Sequence, residues 1–141
     1  MDGPDMKDRV LYDRGMAVRR SVLGDAHVDR SLERATDFDA DFQEFITKTA
    51  WGQIWTRPGL DIRTRSMLTI GMLAALGKDG ELKLHIRATR NTGVTRDEVK
   101  EILMQAAVYA GVPAGNHAIA LARAVYAEMD EEDAREAERK G

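Results

Sequence analysis

Met67-Leu68-Thr69-Ile70-Gly71-Met72-Leu73-Ala74-Ala75-Leu76 is the stretch on which the fold turns. Wound as a helix it is apolar on nearly every side, and it is too short to cross a bilayer. It therefore predicts a central, buried helix. Asp61 stands where it can cap the start of that helix, and Gly77 ends it. Upstream, Phe38, Phe42, Phe45 and Ile46 begin a helix that runs through Trp51 and Trp55 until Arg57-Pro58-Gly59 stops it. Lys7 to Leu23 reads as an earlier helix ending at Gly24, with the first five residues frayed.

Downstream, Asp79 can cap a helix that carries Glu81 and His85 and ends near Asn91-Thr92-Gly93. Thr95 with Glu98 spells a capping box. Val99, Ile102, Leu103, Ala106 and Tyr109 then mark the buried stripe of the next helix. Gly111 and Pro113 separate it from a last helix, which dissolves into Glu128-Met129-Asp130-Glu131-Glu132-Asp133, read as a solvated helix end. No run of period two and no Asn-Gly turn signals a strand. The expectation is an all-α bundle of about six helices, one domain over 1–141 with 1–5 and about 130–141 peripheral.

Composition narrows the function. Lys and Arg total 21 against 24 Asp and Glu, a net charge of −3 with no basic block, so nucleic acid is not an expected partner. Cysteine is absent, which excludes disulfides, thiolate catalysis and cysteine-ligated zinc or iron–sulfur sites. The N-terminal residues lack a signal-peptide pattern and no apolar run reaches spanning length, so a cytoplasmic protein without a membrane partner is expected. Aromatic residues make up 6% of the chain, which leaves the core to Leu, Ile, Val, Ala and Met.

The residues best placed for chemistry are Glu81 and His85, one helical turn apart. Two readings stand on the residues alone. One is an ion pair contributing about 0.2–0.5 kcal/mol. The other is a carboxylate orienting an imidazole beside the apolar seam of Leu82, Ile86 and Thr89, which is the equipment for moving a proton near neutral pH. Lys83, Arg87 and Arg90 make the wet face. No metal is expected, because His27 and His117 stand too far off in sequence to be assigned as a third ligand.

Arg57, Arg63 and Arg65 crowd the N-terminus of the central helix, an end that favours anions. They either pair with surface acids or hold a carboxylate, and Arg65 is the best placed for the second role. Trp51 reads as core or interface packing, whereas Trp55, close to Arg57, can line a pocket. His117 shares a face with Leu121 and Ala124, as a core or interface histidine would. Tyr109 sits at a helix end, where it either packs or reaches a ligand.

Taken in order, these pieces resemble a known family. Phe42-Gln43-x-Phe45-Ile46-Thr47 is followed by Trp51-Gly52-x-x-Trp55-x-Arg57-Pro58-Gly59-Leu60-Asp61 and Arg63-x-Arg65-Ser66. Then come Met72-Leu73-Ala74-Ala75-Leu76-Gly77, Glu81-Leu82-x-x-His85, Gly93-Val94-Thr95 and Gln105-x-Ala107-Val108-Tyr109-Ala110-Gly111-Val112-Pro113-Ala114. Gly15-x-x-x-Arg19-Arg20-x-Val22-Leu23-Gly24-Asp25-Ala26-His27-Val28 fits as well. From about residue 12 to 127 the chain resembles the carboxymuconolactone decarboxylase family.

The resemblance implies an all-α, alkylhydroperoxidase-D-like fold and a ring-shaped homo-oligomer, typically a hexamer. The peroxidase branch carries Cys-x-x-Cys-x-x-x-His, where this chain reads Lys78-x-x-Glu81-x-x-x-His85. The histidine is kept and both thiols are gone, so disulfide-based peroxide reduction is closed to it. The implied reaction is cofactor-free loss of CO2 from 4-carboxymuconolactone to 3-oxoadipate enol-lactone, in protocatechuate breakdown by the β-ketoadipate route. The unsaturated lactone is its own electron sink, so no cofactor is called for. His85 is then the proton donor, Glu81 its orienting partner and Arg65 an oxyanion or carboxylate contact. Arg57, Trp55, Tyr109 and His117 are candidate substrate contacts. Two rivals stand beside this reading: a family member acting on another lactone or β-keto acid, and a non-catalytic oligomeric protein of the same fold.

Overall fold

The computed structural model describes residues 4–141, and everything described in it is helix, turn or coil. Of the five N-terminal residues expected to fray, 1–3 lie outside the described residues, while Pro4 and Asp5 open the first helix. The chain forms two compact units, one up to Arg65 and one from Ser66 onward. Among the described residues no helix is long and apolar enough to cross a membrane.

The first unit contains α1 (Pro4–Leu23), α2 (Asp25–Arg34), α3 (Ala40–Ile46) and a π-helix (Thr47–Ile54). The separate α2 and the π-helix were not expected. Gly24 ends α1 and α2 begins at once, with Val28 buried and Arg20 of α1 bridging Asp25 at 3.1 Å and Asp29 at 2.9 Å. Asp39 closes the next connection by accepting hydrogen bonds from Thr36 N–H at 2.6 Å and Thr36 Oγ1 at 3.1 Å. Two glycines let α1 meet the π-helix backbone to backbone. A Cβ on Gly15 would lie 2.0 Å from the Thr47 carbonyl oxygen, and one on Gly52 would lie 2.5 Å from that of Leu11.

α4 (Ile62–Leu76) begins in the first unit and continues into the second, which also holds α5 (Asp79–Thr92), α6 (Arg96–Ala110) and α7 (Val112–Lys140). The core of the second unit is built on Ile70, Leu82, Ile86, Val99, Leu103, Leu121 and Val125. The capping box of α6 forms as read: Glu98 N–H reaches Thr95 Oγ1 at 3.1 Å and Thr95 N–H reaches Glu98 Oε1 at 2.9 Å. Gly93 ends α5 at φ 85°, a left-handed conformation that costs glycine little.

Four expectations need correction here. α4 is not buried all round. Ser66, Ile70 and Ala74 are buried, but Leu68, Met72 and Leu76, on the other side, are 48%, 55% and 68% exposed. Tyr109 leaves the buried stripe of α6 and stands 85% exposed, because the helix turns Val99 and Leu103 inward but carries its last turn out to the surface. Asp79 is the first residue of α5, with Lys78 in the cap position. Finally, α7 does not dissolve at 128–133.

A ladder of ion pairs carries α7 onward. Arg87 of α5 meets Glu128 at 2.8 Å and Glu132 at 3.1 Å, and Arg90 meets Asp133 at 2.9 Å. Arg96 of α6 meets Asp130 at 2.6 Å and lies over the Tyr126 ring. The acids return to α5 and α6 at helical spacing, so the run is solvated, as read, but it is also the paired face of a helix that continues past it. Arg87 and Arg90, assigned to a wet face, are its counterions.

Candidate active site

In the first unit the candidate residues gather after the π-helix. Trp55 closes it through an N–H bond to the Ala50 carbonyl at 3.0 Å, five residues back. Its ring lies against Trp51, with centroids 4.9 Å apart. Trp51 is buried, as core packing requires, and Trp55 is half-buried. Arg57 is exposed, and its carbonyl accepts a hydrogen bond from Arg65 Nη2 at 3.1 Å. Arg65 thus ties down the Arg57-Pro58-Gly59 turn, a role that its sequence position did not announce.

Asp61 caps α4 as expected, accepting the Thr64 N–H at 2.7 Å. That bond holds its carboxyl below the usual carboxylate range, helped by the Thr64 hydroxyl and the charge of Arg63. The positive end of α4 is therefore already met by one carboxylate. Arg63 acts on that carboxylate, and Arg65 reaches the Arg57 carbonyl.

In the second unit α5 carries Glu81 and His85. Glu81 is exposed, whereas His85 is buried, 6% exposed. The cause is its company: Leu82, Ile86, Ala88 and Thr89 are buried around it on the same helix. An exposed carboxylate thus stands one helical turn before a buried imidazole. His117 corrects the reading of a core residue. Its side chain is 61% exposed, and Nε2 lies 2.8 Å from Asp79 Oδ2. This pair joins the start of α7 to the start of α5. Tyr109, 85% exposed at the end of α6, joins Val108 and Val112 in an exposed apolar patch.

Several functional-looking side chains escaped sequence reasoning. Arg19 is 4% exposed in α1 and donates to Thr47 Oγ1 at 3.1 Å and Gln43 Oε1 at 3.0 Å. Its spacing of four from Gly15 was the available signal. Thr92 Oγ1 donates to Ser66 Oγ at 3.0 Å, a buried hydroxyl pair joining α5 to α4 within the second unit. Burial raises the Tyr126 hydroxyl above its ordinary range, against the pull of Arg96. Among the described residues no group of three His, Asp or Glu side chains is arranged to hold a metal ion.

Comparison with known proteins places these residues in context. The sequence profile of the carboxymuconolactone decarboxylase family matches residues 40–124, which include the π-helix, α4, α5 and α6. The chain is 49% identical over 124 residues to a 4-carboxymuconolactone decarboxylase of Acinetobacter baylyi, covering 88% of this chain and 92% of that one. It is 46% identical over 109 residues to a nitrosuccinic acid decarboxylase of Metarhizium robertsii, covering 77% and 76%. A 4-carboxymuconolactone decarboxylase sequence of Pseudomonas putida is 60% identical over 47 residues, 33% of this chain and 98% of that one. The chain belongs to the carboxymuconolactone decarboxylase family.

Proposed function

We propose that this chain is a carboxy-lyase that converts 4-carboxymuconolactone to 3-oxoadipate enol-lactone and CO2, in cytoplasmic protocatechuate catabolism. The observation that carries this is the 49% identity to the Acinetobacter enzyme over nearly the whole of both chains. In the reaction the bond from the ring carbon to the departing carboxylate breaks. Its electron pair moves through the ring double bond onto the lactone carbonyl oxygen. A proton then adds to the ring carbon next to the carbonyl, the carbonyl re-forms, and the double bond is left at the carbon that lost CO2. The substrate holds the electrons itself, so the protein's work is to bind charge and deliver a proton.

His85 is assigned to the proton. Its burial suits a donor that must act where water is excluded, and Glu81 orients and recharges it from the solvent side. Arg65 and Arg57 are assigned to the carboxymethyl group and the developing oxyanion, with Trp55 as an apolar wall for the departing carboxylate. His117, engaged with Asp79, is a weaker candidate for substrate contact. The relative from Metarhizium favours one alternative, decarboxylation of a different acid. A nitro group and an unsaturated lactone both accept the electron pair left by CO2, so one protein framework suits either.

The exposed apolar faces support a homo-oligomer, six subunits by family resemblance. Phe38, Phe42 and Phe45 are 97%, 58% and 57% exposed in the first unit. In the second, Leu68, Met72 and Leu76 of α4 are exposed, as are Met104, Val108, Tyr109 and Val112. Patches of this kind mark interfaces. Tyr109 would act on substrate only where a second copy covers it. An ultraviolet assay of purified protein with carboxymuconolactone, and in parallel with nitrosuccinate, tests the assignment. Turnover of the lactone with and without chelator is expected. Turnover of nitrosuccinate alone replaces the substrate, and turnover of neither removes the proposal.

A further inference from the structure

We infer that Arg19 is a positioning residue for the proposed substrate contacts: by gripping Gln43 and Thr47 it fixes the point at which α3 becomes a π-helix, and so the direction in which Trp55 and Arg57 leave it. The inference rests on the assignment of Trp55 and Arg57 to substrate binding. Arg19 is almost wholly buried, as is Thr47 at 1% exposure. Its two Nη atoms reach acceptors on both sides of the transition: Gln43 Oε1 in α3 and Thr47 Oγ1, the first residue of the π-helix. Thr47 in turn directs its hydroxyl back to the Gln43 carbonyl at 2.7 Å, and its N–H is shared between the Gln43 and Glu44 carbonyls. Threonine back-bonding of this kind loosens the regular four-residue ladder and bends a helix.

The consequences run down the chain in order. A π hydrogen bond spans one residue more than an α bond, so the segment takes up about one extra residue, and one residue of α-helix is about 100° of rotation. Reverting the π-helix would therefore swing Trp55 and the residues after it by that angle. The π register ends where Trp55 N–H meets the Ala50 carbonyl. Arg57 N–H then bonds the Ile54 carbonyl at 3.0 Å, and the Arg57 carbonyl is taken by Arg65. Trp55, Arg57 and Arg65 thus inherit their orientation from the register set at Thr47. A buried guanidinium is a costly way to fill space, since an apolar side chain would avoid its desolvation. Its planar, forked donors do what an apolar residue cannot, which is to select one register by its acceptors.

The test uses Arg19→Lys, which keeps the charge but lacks the planar fork that sends one Nη to each acceptor, beside Thr47→Val and Gln43→Met, which remove one acceptor each. The chain has two tryptophans, Trp51 and Trp55, so near-ultraviolet circular dichroism reports their mutual geometry. The expected result is a changed tryptophan spectrum at unchanged helical content, with KM for the lactone raised about tenfold and kcat altered less, within the scale known for remote misplacement. A wild-type spectrum and wild-type KM, with only a lowered melting temperature, would overturn the inference. Thr47→Val and Gln43→Met decide the matter if Arg19→Lys does not fold. The spectrum needs no substrate, so it judges the register even if the wild-type protein fails to turn over the lactone.

Discussion

Gly15→Ala probes the meeting of α1 with the π-helix, on which the placing of Trp55 and Arg57 depends. The added methyl would lie 2.0 Å from the Thr47 carbonyl oxygen and 2.7 Å from the Gly52 nitrogen. Both neighbours are backbone, so neither can swing aside. An ordinary carbon contact is about 3.5–4.0 Å, so α1 must retreat by more than 1 Å. Overpacking costs roughly 1–3 kcal/mol where side chains can adjust, and this site should reach the upper part of that range or exceed it. In the other direction, alanine in place of a mid-helix glycine contributes about 1 kcal/mol of propensity. The clash should win, leaving a net loss of about 1–2 kcal/mol or more. Gly80→Ala in the first turn of α5 is the control, since a Cβ there meets nothing within 4 Å. It should be neutral or stabilising by up to about 1 kcal/mol. Urea unfolding tracked by circular dichroism measures both. A Gly15→Ala protein as stable as wild type would refute the close approach.

Three more outcomes are expected. Arg65→Met should raise KM with kcat spared if Arg65 holds the carboxymethyl group, and should lower kcat and kcat/KM together if it meets the oxyanion. The second outcome is expected, and unchanged steady-state kinetics would remove Arg65 from the site. Asp130 and Glu132 are held below the ordinary carboxylate range, chiefly by hydrogen bonds from Arg96 and Arg87. A depressed folded-state pKa means stabilisation that is complete above the unfolded value, about 4, and is lost as pH falls through the folded one. Helicity of α7 should therefore drop in acid and in high salt, by less in Asp130→Asn. An acid profile identical in that variant would count against the ladder. Light scattering should show a closed oligomer at micromolar concentration, and a monomer would contradict the interface reading of the exposed Phe and Leu faces.

The parts of this molecule legible in its sequence were those set by local chemistry. The Thr95–Glu98 box, the Asp61 cap and the Gly93 terminus need only a few residues to form, and all three appear. The all-α class comes from helical periodicity throughout. The hidden features depend on partners distant in the chain. Glu128 to Asp133 looks unpaired until α5 and α6 bring arginines to it. The π-helix has no local signature, because it is sustained by Arg19 and by α1 lying against Gly52. Leu68, Met72 and Leu76 have the composition of core residues, and only the packing of Ser66, Ile70 and Ala74 inward shows that they face outward. At the candidate site, the helical spacing of Glu81 and His85 was readable, but the depth of His85 was not.

The most direct test of the account is the turnover of carboxymuconolactone by His85→Ala against wild type, monitored by ultraviolet absorbance. The account predicts that wild type releases CO2 from the lactone. It predicts that His85→Ala, folded and assembled as wild type, loses about 10²-fold or more in kcat, the scale of a positioned proton-transfer group. Glu81→Gln should lose less, since it keeps the shape and removes only the charge that favours imidazolium. A correctly folded His85→Ala protein with wild-type kcat would contradict the assignment of the proton to His85.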